Sequence, residues 1–192
     1  MTDKWKKRFF LLLGLIILFV LVVLIMVNMP IKDKGLSPIA DEQEENVQFQ
    51  IQATKSDLNK IMNHYIEEEG LTSPIAYEVL LNDEVELYGT MKVFTQDIEM
   101  KLTFEPEALD NGDVILKQKS ISIGQIQLPV SYVLKFIRDQ YDFPEWVSIQ
   151  PNDELVYVSL QRMKLKSDVK VRVNKFDLVN DDIQFSLLVP TN

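Results

Sequence analysis

The chain has 192 residues, 46% of them apolar, and a formal net charge of −9. That length suffices for one membrane anchor plus one domain with its own core, and it leaves no room for a second enzymatic domain. Cysteine is absent, which excludes a disulfide framework, a thiol nucleophile, a cysteine-based metal site and lipoprotein attachment, so the chain folds on packing alone.

Residues 1–8, MTDKWKKR, form a basic tail, with Lys4, Lys6, Lys7 and Arg8 around Trp5. From Phe9 to Val27 run 19 uncharged residues, all Leu, Ile, Phe or Val except Gly14 and Met26. As a helix that run spans roughly 28 Å, close to the hydrocarbon thickness of a bilayer. Residues 9–28 therefore read as a transmembrane anchor, and the positive-inside rule keeps residues 1–8 in the cytoplasm and the rest outside. A cleaved signal peptide would have a shorter apolar region and a small-residue cleavage site, whereas this run ends in MVNMPIKDKG.

Beyond residue 28 there are 16 basic against 28 acidic residues, a net −12. Such a surface repels phosphate backbones, so no nucleic acid is expected as a partner. Residues 29–45 contain two Pro and one Gly without a sustained period, which reads as a flexible linker reaching on the order of 20 Å. Residues 46–192 remain as one extracytoplasmic domain.

That domain begins with VQFQIQA, in which Val47, Phe49, Ile51 and Ala53 alternate with Gln48, Gln50 and Gln52. The pattern predicts a strand with one buried and one wet face. A helix follows at once: Thr54 or Ser56 can cap it, Asp57 suits its positive end, and Gly70 ends it. Leu58, Ile61, Met62, Tyr65 and Ile66 fall on one stripe. Burying them is worth on the order of 10 kcal/mol as an upper bound, at roughly 2 per side chain before entropy.

Further strands follow. Tyr77, Val79 and Leu81 precede an Asn82-Asp83 turn, with Val85 and Leu87 beyond it, and Ile98, Met100, Leu102 and Phe104 alternate with Asp97, Glu99, Lys101 and Thr103. Asn111-Gly112 marks a turn tip. In VILKQKSISIGQIQLP the apolar phase shifts across Gly124, as a β-bulge would leave it. Pro129 opens a second helix whose stripe is Val130, Val133, Leu134, Ile137 and Tyr141, with Phe136 beside it. The remainder, WVSI, LVYVSLQRMKL, Val169 to Leu178 and Ile183 to Val189, reads as a meander. The fold class is α+β: about eight strands in a curved antiparallel sheet with two helices packed on one face.

No catalytic constellation emerges. His64 is the single histidine, which excludes a His-pair metal site, and it reads as partly exposed and structural. Ser131 and Ser148 lack a nucleophile elbow. Asp97 and Glu99 belong to a wet strand face, DNGD and NDD are hairpin turns rather than calcium loops, and no glycine-rich phosphate loop occurs. No cofactor or metal is expected, and the domain is expected not to be an enzyme.

The basic tail with one anchor, VQFQIQATKSDLNKIMNHYIEE, LYGTMKVFTQDIEMKLTFEPEALDNGDVIL and ISIGQIQLPVSYVLKFI together resemble the YpmS-like family of Gram-positive bacteria over nearly the whole chain. The resemblance implies a membrane-anchored envelope protein, encoded in many cases near a GDSL-type esterase, and carries no catalytic residues with it. The helix-on-sheet arrangement also resembles tubular lipid-binding domains, an analogy of fold alone. With Met62, Met91, Met100 and Met163 among the apolar side chains, a groove between helix and sheet can suit an acyl chain. Its lining would be Leu58, Ile61, Met62, Tyr65, Ile98, Met100, Leu102 and Phe104. Two readings stay open: binding of a lipid or lipid-linked envelope precursor, and a scaffold or accessory subunit for an envelope enzyme such as that esterase, recruited through an acidic face or a sheet edge. The partners are then the membrane and either a lipid or that enzyme, with the oligomeric state undetermined.

Overall fold

The computed structural model describes residues 3–28, 46–68, 77–93, 96–124, 129–140, 143–163, 165 and 168–191. The chain divides into two compact units, Met1–Lys32 and Asp33–Asn192. The first holds helix α1, Asp3–Asn28. Its segment Lys6–Ile25 is long and apolar enough to cross a membrane, which fits a single-pass anchor, although a signal sequence has the same properties. The linker assigned to residues 29–45 lies outside the described residues.

The second unit is α+β, built on curved antiparallel sheet. In chain order it contains β1 (Asn46–Ala53), α2 (Lys55–Glu68), β2 (Tyr77–Leu81), β3 (Val85–Val93), β4 (Gln96–Ala108) and β5 (Val114–Ile123). Then come α3 (Val130–Gln140), β6 (Val147–Gln150), β7 (Leu155–Val158), a 3-10 turn at Leu160–Arg162, β8 (Lys170–Asp177) and β9 (Asp182–Pro190). The strands ladder into a six-stranded sheet, β2-β3-β4-β5-β7-β6, and a three-stranded sheet, β1-β9-β8. The first strand of the domain thus pairs with the last, Asn46 opposite Pro190 and Ala53 opposite Ile183.

The strand-to-helix junction is set locally. Thr54 caps α2: its hydroxyl accepts from the Asp57 N–H (3.2 Å) and donates to the Asp57 carboxylate (2.7 Å). The Lys55 N–H donates to Asp181 Oδ1 (2.6 Å) in the β8–β9 turn, binding the helix start to the small sheet. Core packing centres on Leu102, Ile123, Leu134 and Ile183, with Val133 and Ile137 of α3 buried beside them and Leu58 and Met62 of α2 packed against the cluster. Tyr141, read as part of the α3 stripe, falls outside the described residues.

Several expectations need correction. The described residues hold nine strands, more than the pattern indicated. LVYVSLQRMKL is not one strand: β7 stops at Val158, and buried Ser159 gives its N–H to the Trp146 carbonyl (2.8 Å) before the 3-10 turn. The ladder irregularity between β4 and β5 lies at Lys119, while the phase shift read across Gly124 runs into residues 125–128, which lie outside the described residues. Thr103 pairs with Ser120 and Phe104 with Gln118, so Lys119 is the extra residue of a bulge that keeps Leu116 and Val114 on the side of Ile121 and Ile123. Gly124, with φ +52, ends β5.

Candidate functional site

The three strands of the small sheet are in register as rows. Phe49 aligns with Leu187 and Val171, Ile51 with Phe185 and Val173, and Ala53 with Ile183 and Phe176. Because side chains alternate along a strand, these rows share one face, and that face is apolar throughout. Its exposure grows toward β1. Ile183 and Val173 are buried, Phe185 and Phe176 meet edge-to-face at 6.4 Å, and Leu187 and Val171 are half-buried. Val47, Phe49 and Ile51 are then 46%, 55% and 42% exposed. The apolar side of β1, expected to be buried, is therefore open: the sheet runs out of core before it runs out of apolar residues.

The opposite face is closed by polar bonds. Ser186 is fully buried there, and its hydroxyl oxygen accepts from Gln48 Nε2 (2.7 Å) and Asn174 Nδ2 (2.6 Å). Gln48 thereby binds β1 to β9 through side chains as well as backbone. Beside it lies a hollow of 440 Å³ lined by Gln48, Asp110, Arg172, Asn174 and neighbouring apolar residues.

The side chains read as a helix–sheet groove mostly close into core. Met100, Leu102 and Phe104 are buried, with half-buried Leu58, Met62 and Ile98 packed against them. Tyr65 stands edge-on to Trp146, ring centroids 6.0 Å apart. Ile61 departs from its expected stripe and is 64% exposed. The hollow at this helix, 670 Å³, has Lys55, Asn59, Lys60, Asn63, Asn82 and Asp83 around it together with Leu81. The helix lies along the β2 edge because Asn59 binds there: its Nδ2 donates to the Leu81 carbonyl (2.9 Å) and its Oδ1 accepts from the Leu81 N–H (2.7 Å).

The DNGD turn holds a feature that a hairpin signature does not announce. Asp113 is fully buried, and its Oδ2 accepts from Tyr157 Oη (2.5 Å), Asn111 Nδ2 (3.0 Å) and Ser159 Oγ (3.2 Å). Its Oδ1 meets no donor among the described residues. Burial first, and the bond to Asp113 second, push the Tyr157 phenol above its ordinary value. Every group bonded to the carboxylate is a neutral donor, so the cluster pins the turn to β7 and offers no nucleophile paired with a base. His64 is exposed and lies 3.3 Å from Glu68 on the same helix. No group of three His, Cys, Asp or Glu residues among the described residues could hold a metal ion.

An apolar N-terminal helix followed by one α+β domain of antiparallel strands defines the class of protein. Within that class, residues 3–189 match the family described as an uncharacterized protein conserved in bacteria (DUF2140), and the chain belongs to it. It is 30% identical over 188 residues to the "Uncharacterized protein YpmS" of Bacillus subtilis (strain 168), covering 98% of each chain. No solved structure matches the chain.

Proposed function

We propose that the chain is a membrane-anchored, extracytoplasmic, non-enzymatic domain that binds a lipid or lipid-linked envelope precursor, and that the acyl chain lies on the apolar face of the small sheet. The observation that carries this reading is the open row Val47, Phe49, Ile51. Alternate residues on a strand are about 6.8 Å apart, so the row offers an apolar track of about 14 Å. β1 carries no charge and neither do residues 183–190, so these two strands put no acidic side chain against an anionic headgroup. β1 is the first strand after residues 29–45, which join it in sequence to α1.

Native mass spectrometry of the full chain, released gently from its membrane, tests the reading. A bound lipid is expected, and Phe49→Glu should remove it while melting as the delipidated parent does, because Phe49 is largely outside the core. Retention of the lipid by that variant would overturn the assignment to this face, and absence of lipid from the parent would overturn the function.

A further inference from the structure

Among the described residues four strand edges bound the two sheets, and three of them are closed. The β2 edge is met by the Asn59 amide, which satisfies both backbone groups of Leu81. β6 is four residues long and lies against α3. β8 is bulged between Val173 and Lys175, carries Lys170, Arg172 and Lys175, and gives the Val173 N–H to the Gly112 carbonyl (2.8 Å). These are recognised ways of keeping an edge from recruiting another strand. β1 has none of them. It runs eight residues in unbroken register with β9, with no charge and no proline, and among the described residues its backbone bonds only to β9.

We infer that β1 pairs antiparallel with β1 of a second copy, joining two small sheets into one six-stranded sheet about a two-fold axis near Phe49. The outward N–H and C=O groups of an edge strand ask for a strand, which no acyl chain can supply. Identical strands related by a two-fold axis perpendicular to them run antiparallel, so the contact closes on itself. The absence of charge on β1 lets two acidic copies meet there without like charges in apposition. With Phe49 opposite its mate, Val47 lies opposite Ile51 of the other copy, and the odd-numbered residues of both strands stay on one face. The exposed apolar row is thereby doubled. Anchoring both copies in one membrane, as proposed above, raises their effective concentration. The pairing itself stands on the backbone edge and does not depend on lipid being the ligand.

The chain has no cysteine, so single engineered cysteines report without background. Phe49→Cys in the full chain, in its membrane under mild oxidation, should give a disulfide-linked dimer, because opposed Cα atoms in an antiparallel pair are about 4.5–5.5 Å apart, within disulfide reach. Val47→Cys should crosslink more slowly. Val179→Cys, in the β8–β9 turn and 71% exposed, measures chance collision. Adding Gln50→Lys and Gln52→Lys to Phe49→Cys should lower crosslinking severalfold with the circular dichroism melt unchanged, since they put like charges on the shared edge and set the two copies of position 50 diagonally across the pair. Crosslinking of Phe49→Cys no faster than Val179→Cys, or unaffected by the lysines, overturns the pairing. A stoichiometric adduct with a different protein overturns it too, in favour of a foreign strand. Lipid is assayed on the parent chain, and its absence there beside intact crosslinking of Phe49→Cys counts against the lipid reading alone.

Discussion

Asn59 on α2 bonds both backbone groups of Leu81 on β2, so that one side-chain amide takes the place of a neighbouring strand. Leu81 is buried, and without Asn59 its N–H and C=O lose their partners on that side. Asn59→Ala should cost about 2–3 kcal/mol by urea unfolding, from two backbone groups left unpaired. Asn59→Asp keeps the acceptor and loses the donor, so it should fall between the parent and the alanine variant.

Tyr157 supplies a pH signature at the alkaline end. Its pKa is raised in the fold, so the neutral phenol is favoured there over the unfolded chain. The resulting stability is fully present below the ordinary value of 10.0 and is lost as pH rises through the folded value. Tyr157→Phe should cost about 2 kcal/mol at neutral pH through the lost bond to Asp113. Urea titrations at successive pH values should then show the gap between parent and variant narrowing above about pH 10.

Glu86 gives the corresponding signature in acid. Tyr88 Oη (2.7 Å), Asn82 Nδ2 (3.0 Å) and Lys101 Nζ (3.1 Å) all donate to its carboxylate, and the Tyr88 bond is the leading cause of a pKa below the usual 4.5. A depressed carboxylate stabilises the fold above its unfolded value, and that stability disappears as pH falls through the folded value. Glu86→Gln should flatten the loss of stability below about pH 4.5, read from melting temperature against pH.

Adjacent residues on α2 should behave oppositely. Met62 packs on the core cluster while Ile61 points outward. Met62→Asp should destabilise the full chain by about 2–4 kcal/mol, the cost of a polar group in an apolar contact. Ile61→Asp should change stability by less than about 0.5 kcal/mol. A large loss from Ile61→Asp would mean that its side chain is covered.

The helix–sheet order and most strands were legible because alternation and helical period are local properties of the chain. Thr54, Asp57, the α3 stripe and the turn at Gly112, with φ +85, follow from neighbours in sequence. The Lys119 bulge was visible in principle: Val114 and Leu116 are even-numbered, Ile121 and Ile123 odd, so the phase flips before Gly124 is reached. Ile61 shows where periodicity stops, since a stripe wide enough for five residues says nothing about how much of it the sheet covers. The open face of β1 was illegible for the same reason. Alternation reports that one side of a strand is apolar, and only the pairing of residue 46 with residue 190 reveals that little lies over it. Asn59 gave no signal at all, because one amide on a helix has meaning only beside the edge it satisfies.

The pairing of β1 with β9 also fixes how the domain answers to mechanical load. Against a pull directed along the axis of β1, Lys55, bonded to Asp181, holds the far end of the strand to the β8–β9 turn. Eight residue pairs are then loaded in shear together instead of peeling one after another, and the Gln48–Ser186 bond resists the same displacement. Load applied in that direction is spread over the β1–β9 ladder before it reaches the six-stranded sheet.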